Sequence, residues 1–250
     1  MKFTLRPVLL ALFLILMGIQ PSFAFKLLPI SRTFAPAGRN ATQSYEIVND
    51  RNERLAVSVS MVQRQMDQNG KESYKPADDD FMIYPPQILL EPNTTQTVRV
   101  SWVGDPNPAA ELSYRLIAEQ VPVNLDKNQS QVAKPVGAVQ ILIRYLGSVF
   151  VKSDIMKSDV VLKTIETLPG ATGAKQLAIT MHNQGNAHVA LTKLALHLKA
   201  GGSVVDLKPD QLKGMANEVL LAGNTRRFVI PYPAGLPQGA VTATFEFGQK

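Results

Sequence analysis

Three histidines, His182, His188 and His197, are the side chains best suited to moving a proton or holding a metal, and all fall in the last third of the 250-residue chain. None sits in an HExxH pattern or has a carboxylate close by in sequence, whereas a metal centre needs ligands at defined spacing. They read as solvent-facing or capping residues. The run Asp78-Asp79-Asp80 has the charge for calcium but lacks the glycine and distal glutamate of a calcium loop, so it reads as a solvated loop. No GxSxG turn, phosphate-cradling glycine loop or dinucleotide fingerprint occurs. Cysteine is absent, which removes thiolate catalysis, disulfides and cysteine-ligated metals together. The formal charge of +6 is modest and spread through the chain. No Lys/Arg cluster interleaves with aromatics, as a nucleic-acid face requires. These residues argue against an enzyme, a metal or other cofactor, a nucleic-acid partner and a small-molecule substrate.

The elements explain more. Met1–Ala24 has a charged opening (Lys2, Arg6), an apolar run from Val8 to Ile19 and small residues at Ser22-Phe23-Ala24. This is the pattern of a cleaved secretory signal peptide, and the run is shorter than the about 20 residues that span a bilayer. The remainder suffices for two ordinary domains. With no cysteine in an exported chain, stability must come from core burial.

The most unusual stretch is Ala138–Val151, AVQILIRYLGSVFV, which reads as one strand of 14 residues. At about 3.3 Å per residue it would span roughly 45 Å, where about five or six residues are typical. Val139, Ile141, Ile143, Tyr145, Gly147, Val149 and Val151 share one face by strict alternation. Both a central sandwich strand and an edge strand that lends its side chains to another chain fit this pattern. The chain before it reads as antiparallel β throughout: Phe25–Ile30, Thr42–Asn49, Leu55–Val62, Ile88–Leu90, Thr95–Trp102 and Glu111–Val123. Asn69-Gly70 is a hairpin signal. Pro85-Pro86 cannot lie inside a central ladder and marks a strand edge. After a polar connection at Lys152–Ser158, strands are expected at Val160–Ile165, Gln176–Asn183, Val189–Leu198, Val204–Leu207, Arg226–Pro231 and Ala240–Phe247. The fold class is therefore all-β, with two immunoglobulin-like sandwiches in tandem. The boundaries are signal peptide 1–24, first domain with the long strand 25–151, and smaller second domain 152–250.

Ile83–Val100 resembles the hallmark segment of the periplasmic pilus-assembly chaperones, in which a Pro-Pro pair is followed by Leu, Pro, Gln and an Arg flanked by aliphatics. Here these are Pro85, Pro86, Leu90, Pro92, Gln96 and Arg99. Glu111–Pro122 and Ala138–Val151 resemble the last two strands of that family's first domain, and His182–Val189 resembles an Asn-x-Gly-Asn turn of its second. The resemblance implies an angled pair of domains with a cleft between them. It also implies donor-strand complementation, in which the long strand fills the open groove of a pilin subunit. Val139, Ile141, Ile143 and Tyr145 are then the donor residues.

Basic residues in the cleft of such chaperones bind the subunit's terminal carboxylate, which needs charge-assisted donors once desolvated. Tyr114-Arg115-Leu116 is similar to the family's archaic branch, which makes Arg115 the leading anchor, with Arg32, Lys163 and Lys152 as further candidates. The lysine that common members carry late in the long strand is Ser148 here. The partners implied are pilin subunits and an outer-membrane usher, and the compartment is the periplasm. Self-association of the free protein through the same edge is the alternative, as a structural or adhesive protein.

Overall fold

The computed structural model describes residues 25–122, 142–170 and 173–248. The leader-like segment, Val139 and Ile141 lie outside the described residues. Ten strands make the first sandwich: β1 Lys26–Leu28, β2 Ser31–Phe34, β3 Thr42–Val48, β4 Leu55–Met66, β5 Glu72–Pro76, β6 Phe81–Tyr84, β7 Gln87–Leu90, β8 Thr95–Trp102, β9 Leu112–Gln120 and β10 Arg144–Val151. One sheet has the order β1-β3-β8-β6. The other has the order β2-β10-β9-β4-β5, with β7 also paired to β4. Every pairing is antiparallel except β10 with β2. Two of the shortest changes of sheet are made through proline: Pro29 lies between β1 and β2, and Pro85-Pro86 between β6 and β7. Proline has no amide to give a ladder, so it suits these crossings.

Alternation decides the faces. Leu55, Val57, Val59 and Met61 of β4 are buried, as are Tyr114, Leu116 and Ala118 of β9 and Val149 and Val151 of β10. They meet Tyr45, Ile47, Val98 and Val100 from the facing sheet in one core. Phe81 contacts the rings of Phe34, Trp102 and Tyr114 edge-on at 5.0–5.7 Å, a favoured aromatic geometry. The Tyr114 hydroxyl donates to Asp80 at 2.9 Å. The acidic run thus includes one core-anchoring acceptor and is not wholly a solvated loop.

The second sandwich has β11 Val160–Pro169, β12 Lys175–Asn183, β13 Val189–Ala190, β14 Ala195–Ala200, β15 Ser203–Leu207, β16 Val219–Leu220, β17 Thr225–Pro231 and β18 Thr242–Glu246. Its sheets run β11-β12-β17, β13-β16 and β15-β14-β18. Its core is built on Leu177, Ile179, Met181, Leu194, Leu196, Leu198 and Phe228. The single strand expected over Val189–Leu198 is two strands with a turn between. Leu191 and Leu194 are both fully buried, and residues three apart cannot share a face of a straight strand. Lys193, at φ 52°, makes the turn.

The strand expected from Ala138 begins, among the described residues, at Arg144. Leu142 and Ile143 precede it. The Gln120 amide still reaches the Ile143 carbonyl, but the next amide, Val121, is taken by Ala56. Pro122 then offers none, so among the described residues the β9–β10 ladder ends at Gln120.

Candidate functional site

The first feature is an uneven edge on β10. One side is paired to β9 along its whole length, Arg144–Val151 against Glu119–Leu112. The other side is paired to β2 only over Ser148–Val151. Among the described residues no strand covers that side of Arg144–Gly147. Unpaired amides and carbonyls there are a template for another strand. Leu142 beside it is exposed. Ile143 and Tyr145, two of the expected donor residues, pack against the chain's own core. Tyr145 meets Phe25 edge-on at 4.9 Å, and its hydroxyl donates to the Phe25 carbonyl at 2.6 Å.

The second feature is a charge cluster on the outer face of the same sheet. Register sets Ser148 beside Arg115 and Arg115 beside Val62, with Arg64 beside Tyr74 and Met66 beside Glu72. Side chains of these paired positions share one face. Arg115 clasps Glu72 through two bonds, Nε to Oε2 at 2.9 Å and Nη2 to Oε1 at 2.6 Å. Its Nη1 donates to Ser148 Oγ at 2.5 Å. Arg64 pairs with the same Oε1 at 2.6 Å, and the Tyr74 hydroxyl donates to Oε2 at 2.7 Å. The Arg64 side chain is only 4% exposed, against 16% for Arg115 and 17% for Glu72.

Opposing effects set the acidity of these groups. Burial alone would push the Glu72 carboxyl upward; hydrogen bonds from Arg115 and Tyr74 and the charges of both arginines outweigh it and hold it below the ordinary range. Burial, with Arg115 nearby, lowers Arg64 from its usual value against the pull of Glu72. Burial raises the Tyr74 hydroxyl, and Glu72 adds to the rise.

The other expected anchors stand elsewhere. Arg32 pairs with Val149, whose neighbour across the sheet is Tyr114, so it lies on the inner face, opposite to Arg115. Its Nη2 donates to the Ser44 carbonyl at 3.2 Å, and its charge partly offsets the burial that raises the Tyr45 hydroxyl. Lys163 is exposed at a register shift of β11. Lys152 lines a cavity of about 600 Å³ with Lys157, His188 and Thr192. Sequence reasoning missed Arg64 and Glu72.

Contacts between the sandwiches surround the cluster. Phe150 stacks on His188, centroids 3.6 Å apart and planes within 8°. His188 Nδ1 pairs with Glu111, whose side chain is 1% exposed, at 2.7 Å. His188 thus has a carboxylate partner that only the fold supplies, and His197 has another, Asp206 at 2.7 Å. His182 bonds Thr225. Among the described residues no group of three metal-ligating side chains forms. The turn Asn183–Asn186 joins the parts: Asn183 accepts from the Asp159 amide, and the Asn186 carbonyl from the Glu111 amide. A Cβ on Gly185 would collide with the backbone of Lys157–Asp159. At the far end, the β4–β5 loop is held by the second sandwich. Asn224 Nδ2 donates to the Met66 carbonyl at 2.7 Å, the Arg227 amide to the Gln68 carbonyl at 2.6 Å, and the Arg226 guanidinium lies against Gly70.

Comparison with known proteins gives the family and the fold. Residues 31–154 match the family described as pili and flagellar-assembly chaperone, PapD N-terminal domain. Solved structures of the same fold include the CsuC–CsuE chaperone–tip adhesion subunit pre-assembly complex from the archaic chaperone-usher Csu pili of Acinetobacter baumannii. Identity is 16% and the TM-score 0.57, over 85% of this chain and 89% of that one. The class 5 fimbriae chaperone CfaA matches at 13% identity and TM-score 0.52, over 90% of this chain and 100% of its own. The SafA pilin–SafB chaperone complex of Salmonella enterica matches at 15% and 0.50, over 85% and 86%. At such identities the likeness is one of fold. Comparison with curated protein sequences finds no match. Through its PapD-type N-terminal domain, the chain belongs to the family of pili and flagellar-assembly chaperones.

Proposed function

We propose that this protein is a periplasmic chaperone that holds pilus subunits by lending them a strand and passes them to an outer-membrane usher. The observation that carries the reading is the half-covered β10, which leaves Arg144–Gly147 with an open edge next to the Arg115 cluster. Main-chain hydrogen bonds along such an edge give affinity with little demand on sequence, and side chains set the register. Val139 and Ile141, which precede residue 142 in sequence, supply the apolar side chains, together with the part of Ile143 that its own core leaves uncovered. Tyr145 holds the strand to Phe25 and thereby to its own sheet. The names of the related structures, a chaperone with a tip adhesion subunit and a chaperone with a pilin, point to the same class of partner. The likeness to the archaic Csu system and the Tyr114-Arg115-Leu116 sequence favour that branch.

Arg115 anchors the subunit's terminal carboxylate. It is held rigidly by Glu72 and Ser148, and 16% of its side chain remains open. Arg32 faces the sandwich interior and is the weaker candidate; Lys152 follows Ser148 and Phe150 in the alternation of the Arg115 face but lies beyond the Phe150–His188 stack, and Lys163 is on β11 of the second sandwich. No chemical step is assigned to the chain, and the two domains divide at Lys152. The test is co-expression in the periplasm of the tagged chain with the small secreted proteins encoded beside it. Wild type should retain one of them in stoichiometric amount, and Arg115→Ala should lose it while keeping its own fold. Equal recovery by Arg115→Ala would reject the anchor. Polymers of the chain alone, with no partner, would favour the self-assembling alternative that the open edge also permits.

A further inference from the structure

The cluster around Arg115 holds two guanidinium groups and one carboxylate. Among the described residues no second carboxylate pairs with either arginine, so a surplus positive charge stands largely out of water. Buried charge is costly unless balanced, and Arg64 Nε lacks even a hydrogen-bond partner. Arg115 with Glu72 alone would form a neutral pair, with little pull on an anion and a carboxylate ready to repel it. The surplus comes from Arg64. At 4% exposure it is too deep to be the ligand's contact.

On the reading above, which this inference rests on, the anion is a subunit's C-terminal carboxylate. We infer that Arg64 is a positioning residue and the second basic group of the carboxylate receptor. It fixes Glu72 Oε1 at 2.6 Å, Glu72 in turn orients Arg115 through both its oxygens, and the net charge of +1 lets a second carboxylate approach. The supply of that charge from β4, on the same sheet face, is consistent with β10 carrying Ser148 in place of a lysine.

A charge-balance series tests it, with capture of the co-expressed subunit as readout. Arg64→Met makes the cluster neutral and should lower capture about tenfold, as loss of one partner of a close charge pair does. The double variant Arg64→Met/Glu72→Gln restores +1, and the glutamine amide oxygen still accepts from Arg115. It should recover to within about threefold of wild type, because the second change offsets the coupling energy lost in the first. A merely structural role predicts the reverse, with the double variant worse than the single. That result, or full capture by Arg64→Met, would overturn the inference while leaving Arg115 as anchor. Capture that is indifferent to Arg115→Ala would overturn the underlying reading and the inference with it.

Discussion

Glu72 is the residue on which three cluster members converge, and its acidity makes a prediction of its own. Its carboxyl is held below the ordinary range in the folded protein. Its stabilising contribution is therefore present above the unfolded value near ~4.3 and is lost as pH falls through the lower folded value. Glu72→Gln should cost on the order of 1–3 kcal/mol at neutral pH, since both arginines lose their charged acceptor. It should also flatten the fall of stability in acid. Thermal unfolding of both proteins between about pH 2 and 7 checks this. An unchanged acid slope would mean that Glu72 is not coupled to folding. The importance of Arg115 was legible from its Tyr-Arg-Leu setting. Glu72 and Arg64 were not, because neither lies in a motif and their meeting depends on how two strands align.

That alignment is set by the β4–β5 hairpin. Asn69-Gly70 marked a hairpin in the sequence, and such a pair ordinarily fills a two-residue turn, which would set Met66 opposite Ser73. The observed loop, closed by the Asp67 amide on the Lys71 carbonyl, sets Met66 opposite Glu72. A shift of one residue turns every side chain to the other face, so the cluster was invisible until the register was known. Gly70 is required here twice over. Its φ of +84° disfavours a side chain, and a Cβ would meet the Arg226 guanidinium. Gly70→Val should displace the loop from the second sandwich and destabilise the protein by about 1–3 kcal/mol. Because the same hairpin carries Arg64 and Glu72, it should also weaken subunit capture. Denaturant melts and the co-purification assay read the two effects; a stability loss with full capture would show that the loop does not tune the cluster. Strand positions elsewhere, such as Thr95–Trp102, followed directly from alternation, and the single strand expected over Val189–Leu198 failed only because burial of both Leu191 and Leu194 forced a turn.

At the scale of the whole molecule, the two sandwiches are tied at both ends of the cluster: by Phe150, His188 and Glu111 on one side and by the β4–β5 loop on the other. None of these ties was legible in sequence, since each joins residues far apart whose pairing depends on domain placement. Phe150→Ala removes a buried ring and its stacking partner's contact, a loss of about 3 kcal/mol or more. Calorimetry should then show the unfolding of the two sandwiches separating into two transitions; one unshifted transition would mean that the interface does not couple them. The central claim, that the open edge of β10 receives a strand, is tested most directly by hydrogen exchange on the purified chaperone–subunit complex against the free chain. The account predicts strong new protection of amides within residues 142–147, with little change over Ser148–Val151, which β2 already covers. Unchanged exchange at 142–147 in a stoichiometric complex would contradict it.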